Sequence, residues 1–325
     1  MLLSNRLREM LLSIIVIHNV YISNGSPSTL MARFHHSNAE EVGKKVSSFY
    51  NKTPFPDYEL GRFNSKEDLR LSAYSFAKIM DRSIPESASV IDVGTGTGQL
   101  SAFLSLRRAC VYGIDFSDGS LDKARKLKDK LNLDTWHLKK VNLLARKEID
   151  DIGIQFDYVL CLGVLHHTAD PYGGFQNILR LLKPNGHIAV GLYNRFGRIP
   201  LKVRILLAKT IFKNNKSVQD RFIKMQLGDV EDKERARGWW NDQYCHPHES
   251  THTVGEVLGW FKKNNIKFLQ SVPTLELFDE SVLEVGGVWR DSRYPHLPVR
   301  MVKQLAWIYT THHEGGYWIM FGKKK

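Results

Sequence analysis

Cysteine is scarce. The chain has three in 325 residues, Cys110, Cys161 and Cys245, and they stand far apart. No C-x-x-C pair occurs, so neither a zinc knuckle nor a disulfide framework is suggested. Cys110 and Cys161 fall in apolar runs and read as core residues. Long hydrophobic runs are missing as well. Residues 10–17, behind Arg6 and Arg8, have the outline of a signal peptide but are too short to span a bilayer. Met31 offers an alternative start, and residues 1–31 are expected to be an N-terminal extension, disordered or wrongly included. No repeat or low-complexity tract is visible, and Lys323-Lys324-Lys325 reads as a solvated tail.

Acid is in short supply. The chain carries 46 Lys and Arg against 34 Asp and Glu, a net charge of +12. That excess admits an anionic partner, whether nucleic acid, acidic metabolite or membrane surface, without choosing among them. The imbalance is sharpest over 195–216. Arg195, Arg198, Lys202, Arg204, Lys209, Lys213 and Lys216 occur there with no acid. Positions 202, 209, 213 and 216 fall on one helical stripe beside an apolar face of Leu201, Ile205, Ala208 and Phe212. Pro200 suits the first turn of such a helix. A cationic amphipathic helix can lie on a membrane, meet RNA phosphates or simply be solvated. An apolar content of 42% is compatible with a folded core.

The most informative stretch is Val90-Ile91-Asp92-Val93-Gly94-Thr95-Gly96-Thr97-Gly98-Gln99. An apolar run reads as a buried parallel strand, and Gly98 starts a helix. The glycines let the backbone turn tightly and let a ligand approach it. A dinucleotide fingerprint, G-x-G-x-x-G, would need glycine at 99. The chain has Gln99, so the pattern is G-x-G-x-G. A second strand-like run ends at Asp115, 21 residues after Gly94. In a strand–helix–strand unit of that length the acid reaches the same crevice and can accept from ribose hydroxyls. Its plainer reading is a helix cap, a role Ser117 and Asp118 could also fill.

The Asp92-to-Gly98 pattern resembles motif I of the class I S-adenosylmethionine (SAM)-dependent methyltransferases. Phe156–Thr168, with its Val164-Leu165-His166-His167-Thr168 run, resembles motif IV of the same superfamily. That run is similar to small-molecule enzymes such as those of quinone biosynthesis, and to some tRNA-modifying ones. The resemblance covers residues 85–195. It implies an α/β fold: a Rossmann-like doubly wound sheet, mostly parallel with an antiparallel last strand, plus a helical cap and insertions. It also implies SAM as cofactor, held by Asp92, Gly94, Gly96, Gly98, Asp115, Asn142, Leu143 and Gly163. The family usually has an acid at position 142, to accept from the adenine amino group. Asn142 keeps an acceptor but loses the charge.

The alternation of elements agrees with that fold. Strands are expected at 89–93, 110–115, 136–141, 156–162, 187–193, 266–272 and 316–322. Helices are expected at 39–50, 66–82, 98–107, 118–131, 145–149, 172–183 and 253–264. Pro184 and Gly186 read as the stop of helix 172–183. The division drawn is 32–84 a helical cap, 85–194 the SAM-binding core, and 195–252 a basic helical insertion. Residues 253–325 then end the sheet, with an irregular insertion at 273–315.

Methyl transfer is chiefly a matter of alignment, and a base is needed only where the acceptor must lose a proton. His166 and His167 are the candidates, as base or as orienter. Pro54 and Pro56 stiffen a segment that displays Tyr50, Phe55 and Tyr58. Asp242, Tyr244, His246 and His248 make a polar, aromatic loop cluster on the other flank. The two segments are expected to wall the acceptor pocket together. His248-Glu249-Ser250-Thr251-His252 matches the zinc-peptidase pattern H-E-x-x-H. Pro247 upstream and a helix start near Thr251–Thr253 make it a loop with a cap, and no metal is expected there.

The expected activity is SAM-dependent methyl transfer to a small molecule, lipid-linked or acidic, in the cytoplasm. An RNA-modifying methyltransferase is the less favoured alternative. A non-catalytic SAM-fold subunit is the third, and peripheral membrane contact through 195–216 is kept open.

Overall fold

The computed structural model describes residues 29–210, 215–227, 233–276, 284, 286–311 and 315–325. Residues 1–28 of the expected extension lie outside that description, as does Lys213 of the basic stripe. The chain divides into two compact units, Met1–Glu40 and Glu41–Lys325. The sheet and the cavity lie in the second, which takes in the segments expected as core and insertions and residues 41–84 of the expected cap.

A seven-stranded sheet is the frame. Its strands are β1 (Val90–Val93), β2 (Val111–Asp115), β3 (Trp136–Lys140), β4 (Phe156–Leu162), β5 (Leu182–Tyr193), β6 (Ile266–Val272) and β7 (Tyr317–Lys324). The order is β3-β2-β1-β4-β5-β7-β6. Pairs from β3 through β5 are parallel, while β7 runs antiparallel between β5 and β6. Chain order reverses between β1 and β4, which opens a crevice at their carboxyl ends. β1 is buried at all four positions, as a strand covered on both faces must be. Alternation sends Ile91 and Val93 to one core with Val159, Phe175 and Trp260, and Val90 to the other with Leu160, Leu104 and Trp136.

The helices are α1 (Thr29–Lys52), α2 (Lys66–Ser72), α3 (Ser75–Ser83), α4 (Gln99–Ser105), α5 (Asp118–Leu131), α6 (Arg146–Asp150) and α7 (Pro171–Ile178). They continue with α8 (Ile199–Thr210), α9 (Lys216–Leu227), α10 (Lys233–Tyr244), α11 (Val254–Lys263) and α12 (Leu297–Thr310). Several local expectations are corrected. Helix 66–82 is two helices, because Ala73 and Tyr74 are extended. Helix 172–183 stops at Ile178, and β5 begins at Leu182. Pro184-Asn185-Gly186 lies inside that long strand, where the β4–β5 register shifts and Asn185 takes φ 60°. The same residue types that end helices also make bulges. The stretch 273–315 contains α12, which was not anticipated. Lys323 and Lys324 belong to β7, and the Lys324 ammonium donates to the Leu179 and Leu182 carbonyls rather than trailing in solvent.

The cationic stripe does not run along one helix, since α8 ends at Thr210 and α9 starts at Lys216. Leu201 is buried as expected, while Ile199, Val203 and Leu206 of α8 face outward. Arg198 precedes α8 and is wholly buried.

Arg108 is the second fully buried arginine. It ties α3 to the chain after α4 by donating to Asp81 Oδ1, the Asp81 carbonyl and the Ile84 carbonyl, each at 2.6 Å. Arg107 reaches Asp81 from a half-exposed position. Arg108→Ala strands a buried carboxylate and should destabilise the fold by about 3–5 kcal/mol. Arg107→Ala should cost about 1 kcal/mol or less. Urea unfolding of both variants checks the contrast, and equal losses would show that Asp81 depends on neither arginine in particular.

Candidate active site

The loop after β1 sits in the crevice. Gly94, Gly96 and Gly98 all have positive φ, at 73°, 56° and 83°. The amides of Gly94 and Thr95 both donate to the Ile114 carbonyl of β2, at 2.7 and 2.9 Å. Gly98 is the N-cap of α4, and an added Cβ there would overlap the Trp136 ring. At Gly96 an added Cβ would overlap the Phe55 carbonyl. Packing against the Phe55 carbonyl, together with the positive φ, is enough to require glycine here. Thr97 completes this contact. Its amide donates to the Phe55 carbonyl (3.3 Å), its hydroxyl to the Pro56 carbonyl (2.6 Å), and its own carbonyl accepts from Tyr58 Oη (2.9 Å).

Asp115 braces the same loop. Its Oδ2 accepts from the Gly96 amide and its Oδ1 from the Ser117 amide, both at 2.8 Å. The cap of α5 is Ser117. Asp92 accepts from Thr95 Oγ1 at 2.8 Å and is only 5% exposed. Burial pushes its pKa up to about 6, and that of Asp115 upward as well. Among the described residues neither carboxylate is paired with a lysine or arginine. Asn142 Oδ1 accepts from the Leu144 amide at 3.0 Å, which leaves one lone-pair direction for a ligand. Gly163 has φ 82° at the end of β4.

Asp92, Gly94, Gly96, Asp115, Asn142, Leu143 and Gly163 line one side of a cavity of about 950 Å³, while Gly98, expected among them, lies outside its lining. Tyr50, Phe55, His167, Tyr193, Asp242 and Gln243 line another part of it. The two flanks expected to converge do so, since Tyr50 Oη donates to Asp242 Oδ1 at 2.8 Å. Asp242 lies in the last turn of α10 and not on a loop. Four expected wall residues are placed elsewhere. Tyr58 is core, under the glycine loop. Tyr244 stacks on Trp240 at 4.0 Å. His248 donates from Nε2 to the Thr168 carbonyl at 3.1 Å. His246 packs on the His167 ring, 3.6 Å between centroids, behind the lining.

The histidine pair is locked by its hydrogen bonds. His167 Nδ1 faces the His248 carbonyl at 3.0 Å, so it carries the proton. Its Nε2 is then the acceptor, and it receives the His166 Nε2 proton at 3.1 Å. Both nitrogens of His167 are occupied. His166 is fully buried and does not reach the cavity. Burial holds the pKa of His167 and of His246 down to about 3 and that of His166 well below its usual value, with the Arg198 charge adding to the effect on the pair. An imidazolium is costly here, so of the two parts expected of the pair the hydrogen bonds suit orienter better than base.

Arg198, read in the sequence as a surface cation, organises this wall. Its guanidinium lies 3.5 Å over the Tyr193 ring. It pairs with Glu249 (Nε to Oε1, 3.0 Å) and donates to Gln243 Oε1 (2.7 Å) and the Gly315 carbonyl (2.9 Å). Glu249 thus serves an ion pair within the H-E-x-x-H stretch, whose backbone is not helical. His252 is engaged with Glu256 and Ser250. Helix α11 starts at the Thr253 cap, with Glu256 closing a capping box. Among the described residues, no group of three or more His, Cys, Asp or Glu is placed to hold a metal ion. Tyr193, Gln243, Phe116 and Trp239 also line the cavity and were missed. Of these only Gln243, beside Asp242, stood inside a stretch that attracted notice.

Sheet order, glycine loop and paired acids define a class I SAM-dependent methyltransferase core. Residues 91–188 match a family model described as a methyltransferase domain, which places that stretch among the SAM-dependent methyltransferases. A ubiquinone biosynthesis O-methyltransferase of Alkalilimnicola ehrlichii is 32% identical over 110 residues, 34% of this chain and 43% of that protein. An uncharacterized protein of a Synechococcus strain is 24% identical over 276 residues, 74% of this chain and 64% of that one. The chain thus covers less than two thirds of the length of either relative. Among solved structures, PKMT2 from Rickettsia typhi superposes with a TM-score of 0.54 at 15% identity, over 78% of this chain and 53% of that one. That likeness speaks for the fold.

The residues present fit SAM. Two carboxylates without a cationic partner, Asp92 buried and Asp115 half-buried, suit ribose hydroxyls and an ammonium group. Phe116, Val141, Leu143 and Leu144 offer an apolar surface for a planar base.

Because the folded chain holds the Asp92 proton more tightly than the unfolded chain, ionising this group costs stability. The cost is absent below about pH 4 and complete above about pH 6, on the order of 3 kcal/mol. Without cofactor, Asp92→Asn should therefore be more stable than the parent at pH 7.5, and that advantage should shrink towards pH 4.5. Thermal unfolding across this range checks it, and a pH-independent difference would count against the buried-charge account.

Proposed function

We propose that the chain transfers a methyl group from SAM to a small molecule held in the cavity. The observation that carries this reading is the lining. Among the described residues around the cavity, Arg62 is the only lysine or arginine, against Asp57, Asp92, Asp115 and Asp242. A nucleic-acid substrate calls for a basic track along its phosphates. An acidic acceptor suits this wall poorly for the same reason. The remaining surface is largely aromatic and aliphatic, as in small-molecule sites. A cytoplasmic location belongs to the same reading, because the reaction needs a supply of cofactor.

SAM supplies a methyl group already activated on a sulfonium sulfur. The chain's own part is to hold and align. Asp115 couples cofactor side and scaffold, since it both faces the cavity and fixes the Gly96 and Ser117 amides. The Phe55–Tyr58 segment closes over the glycine loop, and the Tyr50–Asp242 contact joins the cap to α10. A closed site excludes water and fixes the acceptor.

Calorimetry should show binding of S-adenosylhomocysteine and none of NAD. Asp115→Ala should weaken the former by about 1.5–3 kcal/mol. NAD binding with indifference to S-adenosylhomocysteine would overturn the reading. Unchanged affinity in the variant would confine Asp115 to its bonds within the loop.

A further inference from the structure

We propose that the acceptor is an aromatic hydroxyl and that its proton leaves through Tyr50 to Asp242. This rests on the methyltransferase reading and assigns the site a base that the histidines cannot be.

The direction of each hydrogen bond follows from chemistry. Arg198 can only donate, so Gln243 Oε1 accepts from it. The Gln243 amide group must then donate, and it does so to Asp242 Oδ2 at 2.8 Å and to Tyr193 Oη at 2.7 Å. Asp242 Oδ1 accepts the Tyr50 proton. Tyr50 has thus spent its one proton and keeps lone pairs, and its side chain lines the cavity. Tyr193 is the complement. Its oxygen already accepts, so its proton is free to be given. The two rings flank His167, at 6.3 and 6.1 Å between centroids. One hydroxyl ready to accept beside one ready to donate is the pattern that recognises a hydroxyl group.

Asp242 is suited to receive a proton. It is 5% exposed, and the groups bonded to it are neutral donors. Arg198 is linked to it by hydrogen bonds only through Gln243, and its charge opposes, without overcoming, the effect of burial. His246, His167, Tyr193 and Glu249 surround this cluster, and the first two are held neutral by burial. Burial likewise raises the proton affinity of the Asp242 carboxylate. The rings of Phe55, Phe76, Tyr193 and Trp239 on the cavity wall favour a flat acceptor. An aromatic hydroxyl is also acidic enough for a carboxylate to assist, which an aliphatic alcohol is not.

In the step, the acceptor O–H proton passes to Tyr50 Oη as the Tyr50 proton passes to Asp242. The freed electron pair on oxygen forms the bond to the methyl carbon. The carbon–sulfur bond breaks, its pair stays on sulfur, and S-adenosylhomocysteine leaves as a neutral thioether. Tyr193 donates to the oxygen while its charge develops. Asp242 afterwards returns its proton to water.

The test uses the full chain with SAM and a set of phenols, aromatic amines and carboxylic acids, reading S-adenosylhomocysteine release. Turnover is expected with phenols. Asp242→Asn and Tyr50→Phe should each lower kcat by about 100-fold or more. KM and S-adenosylhomocysteine affinity should change little, which also reports that the variants fold. With 4-nitrophenol, largely ionised at pH 8, the Asp242→Asn deficit should nearly vanish, because the proton is already gone. An equal deficit for ionised and un-ionised phenols would make Asp242 a structural strut and overturn the proposal. Methylation of amines or acids alone, or S-adenosylhomocysteine binding without turnover of any phenol, would overturn it and leave the methyltransferase reading standing. Failure to bind S-adenosylhomocysteine would remove both.

Discussion

A buried guanidinium decides the shape of one wall of the cavity. Arg198 has no exposed side-chain surface, yet it meets groups from four separate stretches of chain: Tyr193 of β5, Gln243 of α10, Glu249 and Gly315. A charge at that depth costs several kcal/mol unless it is paired and hydrogen-bonded. Here the pairing is what brings those stretches together. Residues 245–250 have no regular secondary structure to hold them. They are kept in place by the Glu249 ion pair and by Ser250, which donates twice to the His166 carbonyl. The orientation imposed on Gln243 passes to Asp242 and Tyr193. The polarity of the wall is therefore set by a residue that does not touch the cavity.

Much of the core was legible because parallel strands buried on both faces leave a strong mark. Val90–Val93 and Phe156–Leu162 read as strands from composition alone, and the glycine loop announced itself through residues that tolerate positive φ. What failed was what local sequence does not encode. Pro184 and Gly186 are equally good at stopping a helix and at kinking a strand. A solvated arginine and a buried one look identical until the chain is folded, and Arg198 sat in a run of cations that suggested a surface. Gly96 was legible as a required glycine, but the reason for it was not. The atom that excludes a Cβ is a carbonyl 41 residues upstream.

The histidine pair shows the same limit at the level of chemistry. Two histidines at the carboxyl end of β4 invite a catalytic reading, and residue type and position both support it. Their protonation is decided by neighbours distant in sequence: the His248 carbonyl, which fixes one tautomer, and Arg198, which disfavours a positive charge. Burial lowers the proton affinity of the imidazoles and raises that of the Asp242 carboxylate. The cause in both cases is burial, which penalises whichever form carries charge.

The contact between Phe55–Tyr58 and Gly96–Thr97 bears on how this chain can be divided. The family match begins at residue 91, and a gene fragment cut there would preserve every motif. It would not preserve the surface those motifs rest on. Thr97 would lose three hydrogen-bond partners, and the Gly96 loop would be left bare on the side that the Phe55 carbonyl now covers. The stretch recognisable by descent and the stretch that supports the glycine loop are different lengths of the same chain. Any exchange of the cap for another has to bring its own carbonyl to this position.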